Sequence, residues 1–249
     1  MHPRSSVLAQ STAVIATVIS LTACGSAAGD SAQSTSPAVT SSRDATPTIT
    51  ITFMRHAESA GNASGIIDTS TPGPEISDKG RREAQIAADA FASRDFDGIY
   101  ASSMIRTQQT AEYLARAIDE PVEVLPGLRE IEAGQFEGQP EATAQRTLFA
   151  APLAWLQGHL EERIPGSVDG NEFDQRFDDA VQNIYDSGDT HPIAFAHGGS
   201  IMVWTLMNVE NSDSGLLSNP LRNTGYVVIT GNPQTGWMLV DWNGTPIPH

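Results

Sequence analysis

The chain of 249 residues has one cysteine, Cys24, and one lysine, Lys79, against 13 arginines. A single cysteine excludes a disulfide framework and any Cys-based zinc site. Positive charge is scarce overall: 14 Lys and Arg stand against 30 Asp and Glu, for a formal charge of −16. That balance argues against a general binder of nucleic acid or of anionic membranes. The bias of Arg over Lys carries no function by itself. The sequence has no internal repeat and neither a dinucleotide-binding nor a P-loop glycine signature. It also has no His/Asp/Glu cluster with metal-ligand spacing. The apolar run Thr12–Leu21 falls short of the roughly 20 residues that a spanning helix needs.

That run follows Arg4 and has the size of a signal-peptide core. The next residues, Leu21-Thr22-Ala23-Cys24-Gly25, resemble a bacterial lipobox, in which small residues precede a cysteine that is lipidated and becomes the mature N-terminus. The alternative is an ordinary secretory signal with a chance cysteine. Residues 25–47 are rich in Ser, Ala and Thr and include Pro37 and Pro47. Such a stretch cannot bury enough apolar surface to offset its ordering entropy, and it reads as a flexible tether. The expected organisation is a leader over 1–23, a lipidated Cys24 with a tether over 24–47, and a folded domain over 48–249. The domain would then stand on the outer face of the cell membrane, held by a lipid anchor at Cys24, and would meet its substrate outside the cytoplasm.

Within the domain, β-branched Thr48–Met54 predicts a first strand, closed off by Pro47 on one side and a polar loop on the other. Ser77-Asp78 caps a helix over 79–93. A strand over 96–101 and a helix over 104–118 follow, then a strand over 122–125 ended by Pro126-Gly127. Residues 134–170 read as irregular with short helical pieces. Phe173, Phe177, Ala180, Val181 and Ile184 recur at helical spacing and predict a helix over 172–185. A strand over 192–196, a helix over 199–207 and a closing pair of strands over 226–230 and 237–241 complete the chain. Alternating strands and helices imply an α/β three-layer sandwich around a mostly parallel sheet.

Ligands of open parallel sheets bind at the carboxyl ends of the strands. Arg55-His56, Arg106, Glu130 and His197-Gly198-Gly199 all fall at or just after such ends. Arginine forks match the oxygens of a phosphoryl group, and a neutral histidine is a good phosphoryl acceptor near pH 7. A nearby carboxyl can protonate the leaving oxygen, and Glu132 and Glu137 compete with Glu130 for that place. The helix after His197 offers backbone N–H groups suited to an anion.

Arg55-His56-Ala57-Glu58-Ser59-Ala60-Gly61-Asn62 resembles the Arg-His-Gly signature of the histidine phosphatase superfamily, the phosphoglycerate-mutase-like proteins. Ser103–Ala111 around Arg106, Leu128-Arg129-Glu130 with Gly134–Gly138, and Ala196-His197-Gly198 resemble its other motifs, in the same order. The resemblance implies His56 as nucleophile, with Arg55, Arg106 and His197 holding the transferring phosphoryl and Glu130 as general acid and base. It implies Ser59 and Asn62 as substrate contacts, with the Gly198 amide as a further donor. Ala57 departs from the family's usual glycine, which implies a shifted loop. The implied partner is a small phosphorylated substrate, with no cofactor and no metal. The lipobox together with this domain resembles envelope lipoproteins of the LpqD type.

Three other readings compete with a phosphomonoesterase. A phosphoglycerate mutase fits poorly with an export leader and with Gly61–Ser70, which departs from the longer mutase signature. A lipoprotein that only binds phosphorylated ligands need not keep a nucleophile. A serine hydrolase, suggested by His197-Gly-Gly, lacks a Gly-x-Ser-x-Gly elbow. Leu148, Phe149 and Trp155 either line a specificity cap or form local core. The expected chemistry needs a neutral His56 and a protonated Glu130. Turnover is therefore expected to peak at acid to neutral pH in a pH–rate profile and to survive EDTA; loss of activity restored by a divalent ion would refute the metal-free reading.

Overall fold

The computed structural model describes residues 46–248. The expectations for the leader, for Cys24 and for the tether as far as residue 45 lie outside these residues. The first strand, β1 (Ile49–Arg55), alternates its side chains between two faces. Ile49, Ile51 and Phe53 join one apolar cluster, and Met54 joins another on the opposite side. A strand buried on both faces needs a helical layer over each.

Both layers are present. On one side lie α2 (Asp78–Phe91) and α3 (Ile105–Ile118), which bring Ala88, Phe91, Ala111 and Leu114 against Met54, Ile99, Ile193 and Phe195. On the other lie α6 (Gly170–Asp186) and α7 (Gly198–Asn208). Their Phe173, Phe177, Val181, Ile201 and Trp204 pack on Ile51, Phe53, Ala194 and Ala196. The predicted helical spacing of α6 is its buried face. The helix starts at Gly170, two residues before the predicted Glu172, because Asp169 and Glu172 form a capping box. Ser77 caps α2 as expected, accepting a hydrogen bond from the Gly80 N–H at 3.0 Å.

The remaining strands are β2 (Gly98–Ala101), β3 (Val122–Val124), β4 (Pro192–Ala196), β5 (Tyr226–Asn232), β6 (Gly236–Trp242) and β7 (Thr245–Pro246). Their order in the sheet is β3-β2-β4-β1-β5-β6-β7. The three-layer α/β expectation holds, around a mixed sheet. The first four strands in that order are parallel. The last three join antiparallel, because β5 and β6 close as a hairpin that pairs with β1. The region predicted as irregular contains α4 (Glu141–Leu148) and α5 (Ala150–Trp155). One further short helix, α1 (Ala60–Ser64), follows β1.

The densest aromatic packing lies under α6 and α7. Phe177 stacks on Trp204 at 5.1 Å between ring centroids and meets Phe53 at 5.6 Å. Truncation of Phe177 to alanine is expected to cost about 3–5 kcal/mol of stability, read as a lowered urea midpoint. A loss under 1 kcal/mol would show that this cluster does not carry the core.

Candidate active site

Parallel strands leave the sheet at one common edge, so the residues after β1, β2 and β4 emerge together. Arg55 stands opposite Ala196 in the register of β1 and β4, and the His56 N–H donates to the Ala196 carbonyl at 3.0 Å. His56 and His197 therefore follow adjacent strands, with ring centroids 5.1 Å apart and planes at 64°. After β2, the Ser102 N–H donates to the Phe195 carbonyl at 3.1 Å. That pairing brings Ser102 Oγ to 2.9 Å from His197 Nε2 and starts α3 close enough for Arg106 to reach His56.

Two hydrogen bonds assign the tautomer of His56. Its Nδ1 lies 2.7 Å from the Ala57 carbonyl, which can only accept. Its Nε2 accepts from Arg106 Nε at 3.2 Å. The proton thus sits on Nδ1 and the lone pair on Nε2. Burial, and then the Arg106 and Arg55 guanidiniums, hold the imidazole pKa well below its ordinary value. The same causes act on fully buried His197: burial first, then Arg106 and His56. Both rings are uncharged at neutral pH.

Several buried nitrogens here have no partner inside the protein. Arg55 Nη1 donates to the Leu221 carbonyl at 2.7 Å, but Arg55 Nε, Arg106 Nη1 and His197 Nδ1 are buried with no hydrogen-bond partner. Buried polar groups are seldom left so. The two guanidinium N–H groups beside the histidines form a cradle for a group with several acceptor oxygens. Gly73, at φ 71°, borders it: a Cβ there would lie 2.8 Å from Arg106 Nη1.

Glu130 is seated on the first turn of α7. Its Oε1 accepts from the Ser200 N–H at 2.7 Å and from the Ile131 N–H at 2.9 Å, and its Oε2 accepts from the Gly199 N–H at 3.0 Å. Two of the helix amides expected to face a bound anion thus serve the protein's own carboxylate. A Cβ at position 199 would stand 2.8 Å from Glu130 Oε1, so the second glycine after His197 makes room for this seat. Arg176 fixes the loop from behind, donating to the carbonyls of Gly127 at 2.6 Å, Arg129 at 3.0 Å and Glu130 at 2.8 Å. Glu132 is held in ion pairs by Arg129 at 3.0 Å and Arg176 at 3.2 Å. Glu137 accepts from the Thr69 amide and hydroxyl. Of the three candidate acids, only Glu130 lines the cavity that Arg55, His56 and Arg106 also line.

Residues 51–245 match the histidine phosphatase superfamily (branch 1). The chain belongs to that superfamily. It is 42% identical over 216 residues to the PE-PGRS family protein PE_PGRS11 of Mycobacterium tuberculosis; the match covers 80% of this chain and 37% of that relative's length. Among solved structures, a mycobacterial glucosyl-3-phosphoglycerate phosphatase in complex with VO3 superposes with a TM-score of 0.65 at 21% identity, over 79% of this chain and all of that one. The phosphoglycerate mutase of Bacillus anthracis gives a TM-score of 0.65 at 17% identity, over 80% of this chain and 94% of that one. At such identities these two structures bear on the fold alone.

The superfamily motifs predicted from sequence converge. Ser59, Asn62 and Gly198 also line the cavity, which measures about 590 Å³. His197 does not; it stands behind, against His56. Ser59 and Asn62 have a structural task as well, since they form the capping box of α1. Ala57 is fully buried beside Ile76 and Ala84, and its φ is not positive. The added methyl thus finds an apolar seat without backbone strain. Leu148 and Phe149 line the cavity, whereas Trp155 is core, stacked on Phe173 at 5.6 Å.

Sequence reasoning missed Asn223, whose Nδ2 donates to the His56 carbonyl at 3.1 Å and to Asn62 Oδ1 at 3.3 Å. It also missed Thr110, whose Oγ1 accepts the Ala57 N–H at 3.0 Å. Thr110 lies within the Ser103–Ala111 motif without being singled out by it, and Asn223 stands in no local pattern. Among the described residues, no group of three or more His, Cys, Asp or Glu side chains is placed to hold a metal ion.

The buried histidines set a pH dependence of stability. In the unfolded chain they titrate near 6.5; in the folded protein they stay neutral well below that. As pH falls below 6.5 the unfolded state gains protons that the folded state does not, so stability is lost with acidification. The slope is about 1.4 kcal/mol per pH unit for each histidine. Urea unfolding at pH 7.5, 6 and 5 should show this loss above the range where carboxylates titrate, and a His197→Gln variant should show about half of it. A midpoint unchanged between pH 6.5 and 5 would mean that the rings are not buried uncharged.

Proposed function

We propose that the chain is a phosphomonoesterase that works through a phosphohistidine on His56. The observation that carries this reading is the pair of unpartnered guanidinium donors, Arg55 Nε and Arg106 Nη1, beside an imidazole whose Nε2 keeps its lone pair. Nε2 attacks phosphorus, and the bond from phosphorus to the ester oxygen breaks. The leaving oxygen takes a proton from the Glu130 carboxyl. In the second step the Glu130 carboxylate takes a proton from water, the resulting hydroxide attacks phosphorus, and the N–P bond breaks. Inorganic phosphate leaves, and both His56 and the protonated Glu130 are restored.

The hydrogen bonds of Glu130 favour one oxygen for this traffic. Oε1 accepts two backbone N–H groups and Oε2 only one, which leaves Oε2 an open position for the proton. The arginines supply fixed positive charge where phosphoryl charge spreads, and catalysis of this kind is mainly positioning and electrostatics. Ser59, Asn62 and the Gly198 amide would contact the substrate from the cavity wall. The same reading places the enzyme outside the cytoplasm on a lipid anchor at Cys24. Its support is the lipobox-like pattern, Leu21 to Gly25.

With p-nitrophenyl phosphate, His56→Ala is expected to abolish turnover, and Glu130→Gln to lower kcat by about 100-fold or more. Acid-quenched wild type should yield labelled phosphohistidine. Folded, inactive wild type that traps no phosphoryl group would point instead to a phosphate-binding protein. Transfer of the label to a second ester rather than to water would point to a mutase.

A further inference from the structure

We propose that the substrate is a phosphate monoester of an uncharged alcohol with an apolar body. The alcohol would lie against a wall formed by Ile66, Leu148, Phe149, Leu153, Met202 and Leu217. The proposal relies on the phosphatase reading for its phosphate pole and adds the class of leaving group.

Three observations carry it. First, the wall draws on four separate stretches of chain: the loop after α1, the α4–α5 pair, α7 and the turn at Ser214–Ser218. Apolar side chains from distant segments that converge beside one polar pole form a built pocket. Second, Ile66 is 37% exposed and Leu153 is 43% exposed. Among the described residues the exposed large apolar side chains are Ile66, Ile86, Val124 and Leu153, and two of these four stand on this one cavity. Apolar groups left in water next to a catalytic pole mark a surface that a ligand covers.

Third, the charges beyond the phosphate pole are wrong for an anionic leaving group. Once Arg55, His56, Arg106 and Glu130 are set aside, the ionisable residues lining the cavity are Arg146, Asp68 and Glu141. One cation against two carboxylates repels a glycerate carboxylate or a second phosphate. An uncharged alcohol meets no such repulsion. The cavity of about 590 Å³ lies in the range that encloses a drug-sized ligand, so it holds a body much larger than the phosphate alone.

The test uses the full chain with two series of ligands. In the first, kcat/KM is measured for n-alkyl phosphates from ethyl to octyl and for 3-phosphoglycerate. It should rise by about threefold per added methylene until the wall is covered, and 3-phosphoglycerate should fall below hexyl phosphate by about 100-fold or more. Leu153→Glu, a change at a half-exposed position, should lower the ratio of octyl to ethyl phosphate turnover at least tenfold. In the second series, binding of n-alkylphosphonates, whose P–C bond is not hydrolysed, is measured by calorimetry. Affinity that rises with chain length supports an apolar body on the bound phosphate ligand whether or not turnover is seen. Such a rise with no turnover of any ester keeps the apolar ligand class but refutes the phosphatase reading and, with it, the leaving-group role. Affinity that is flat or falls with chain length, or a preference for 3-phosphoglycerate, overturns the inference even if the esters are hydrolysed.

Discussion

The parallel pairing of β1 with β4 is the constraint on which the site depends. With Arg55 opposite Ala196, each strand delivers its next residue, a histidine, to the same edge of the sheet. An antiparallel pair would send the two rings to opposite ends. β2 lies on the far side of β4 and is also parallel to it, so Ser102 and the start of α3 join the same edge. The helical layers on both faces hold these three strands in register, since Phe53, Met54, Phe195 and Ala196 pack into cores on opposite sides. The antiparallel strands β5 to β7 close the sheet beyond β1 and contribute little to the chemistry directly.

Burying two guanidiniums beside two imidazoles is costly, and the structure offsets the cost in specific ways. The histidines stay uncharged, because burial and the neighbouring arginines both disfavour the imidazolium form. Glu130 stands beside them and is itself held by three backbone amides. The first turn of α7 is where a sequence reader expects a phosphate, because helix N-termini attract anions. Here its amides hold the side chain of Glu130, and the position of that carboxyl group becomes a property of the backbone. Arg176 supports that arrangement from α6 by taking the carbonyls of Gly127, Arg129 and Glu130, with Glu132 as its counter-charge. The chain as a whole is strongly acidic, yet the pole around His56 is cationic. Low-dielectric walls keep that local field from being averaged away.

The cavity has two unlike halves because two kinds of chain segment build it. Strand ends supply the polar pole, where side-chain positions are fixed by the sheet. Loops and short helices supply the apolar wall, where Leu148 and Phe149 face the cavity while Trp155, from the same stretch, turns into the core against Phe173. The polar pole thus sits on the rigid part of the fold, and the apolar wall sits on the part most open to change.

Much of this was legible in one dimension. The alternation in β1, the helical spacing from Phe173 to Ile184, and the cap at Ser77 are local patterns, and each appears in the structure close to its predicted bounds. The motif residues Arg55, His56, Arg106, Glu130 and His197, each expected at or just after a strand end, come together in the structure. The start of α6 was misjudged by two residues, since a capping box and not an apolar residue begins the helix. The short helical pieces expected within 134–170 are α4 and α5, whose bounds were not legible because short helices take their stability from tertiary packing. The sequence alone determined the elements, the family resemblance and the types of side chain at the site, because these depend on neighbours within a few residues. The tertiary structure alone decided which nitrogen of His56 carries the proton, which carboxylate takes the helix amides and which apolar side chains face the cavity. Each of those depends on partners tens of residues away in the chain, such as Arg106 against His56 Nε2 or Ser200 beneath Glu130, and only the closed sheet brings them together.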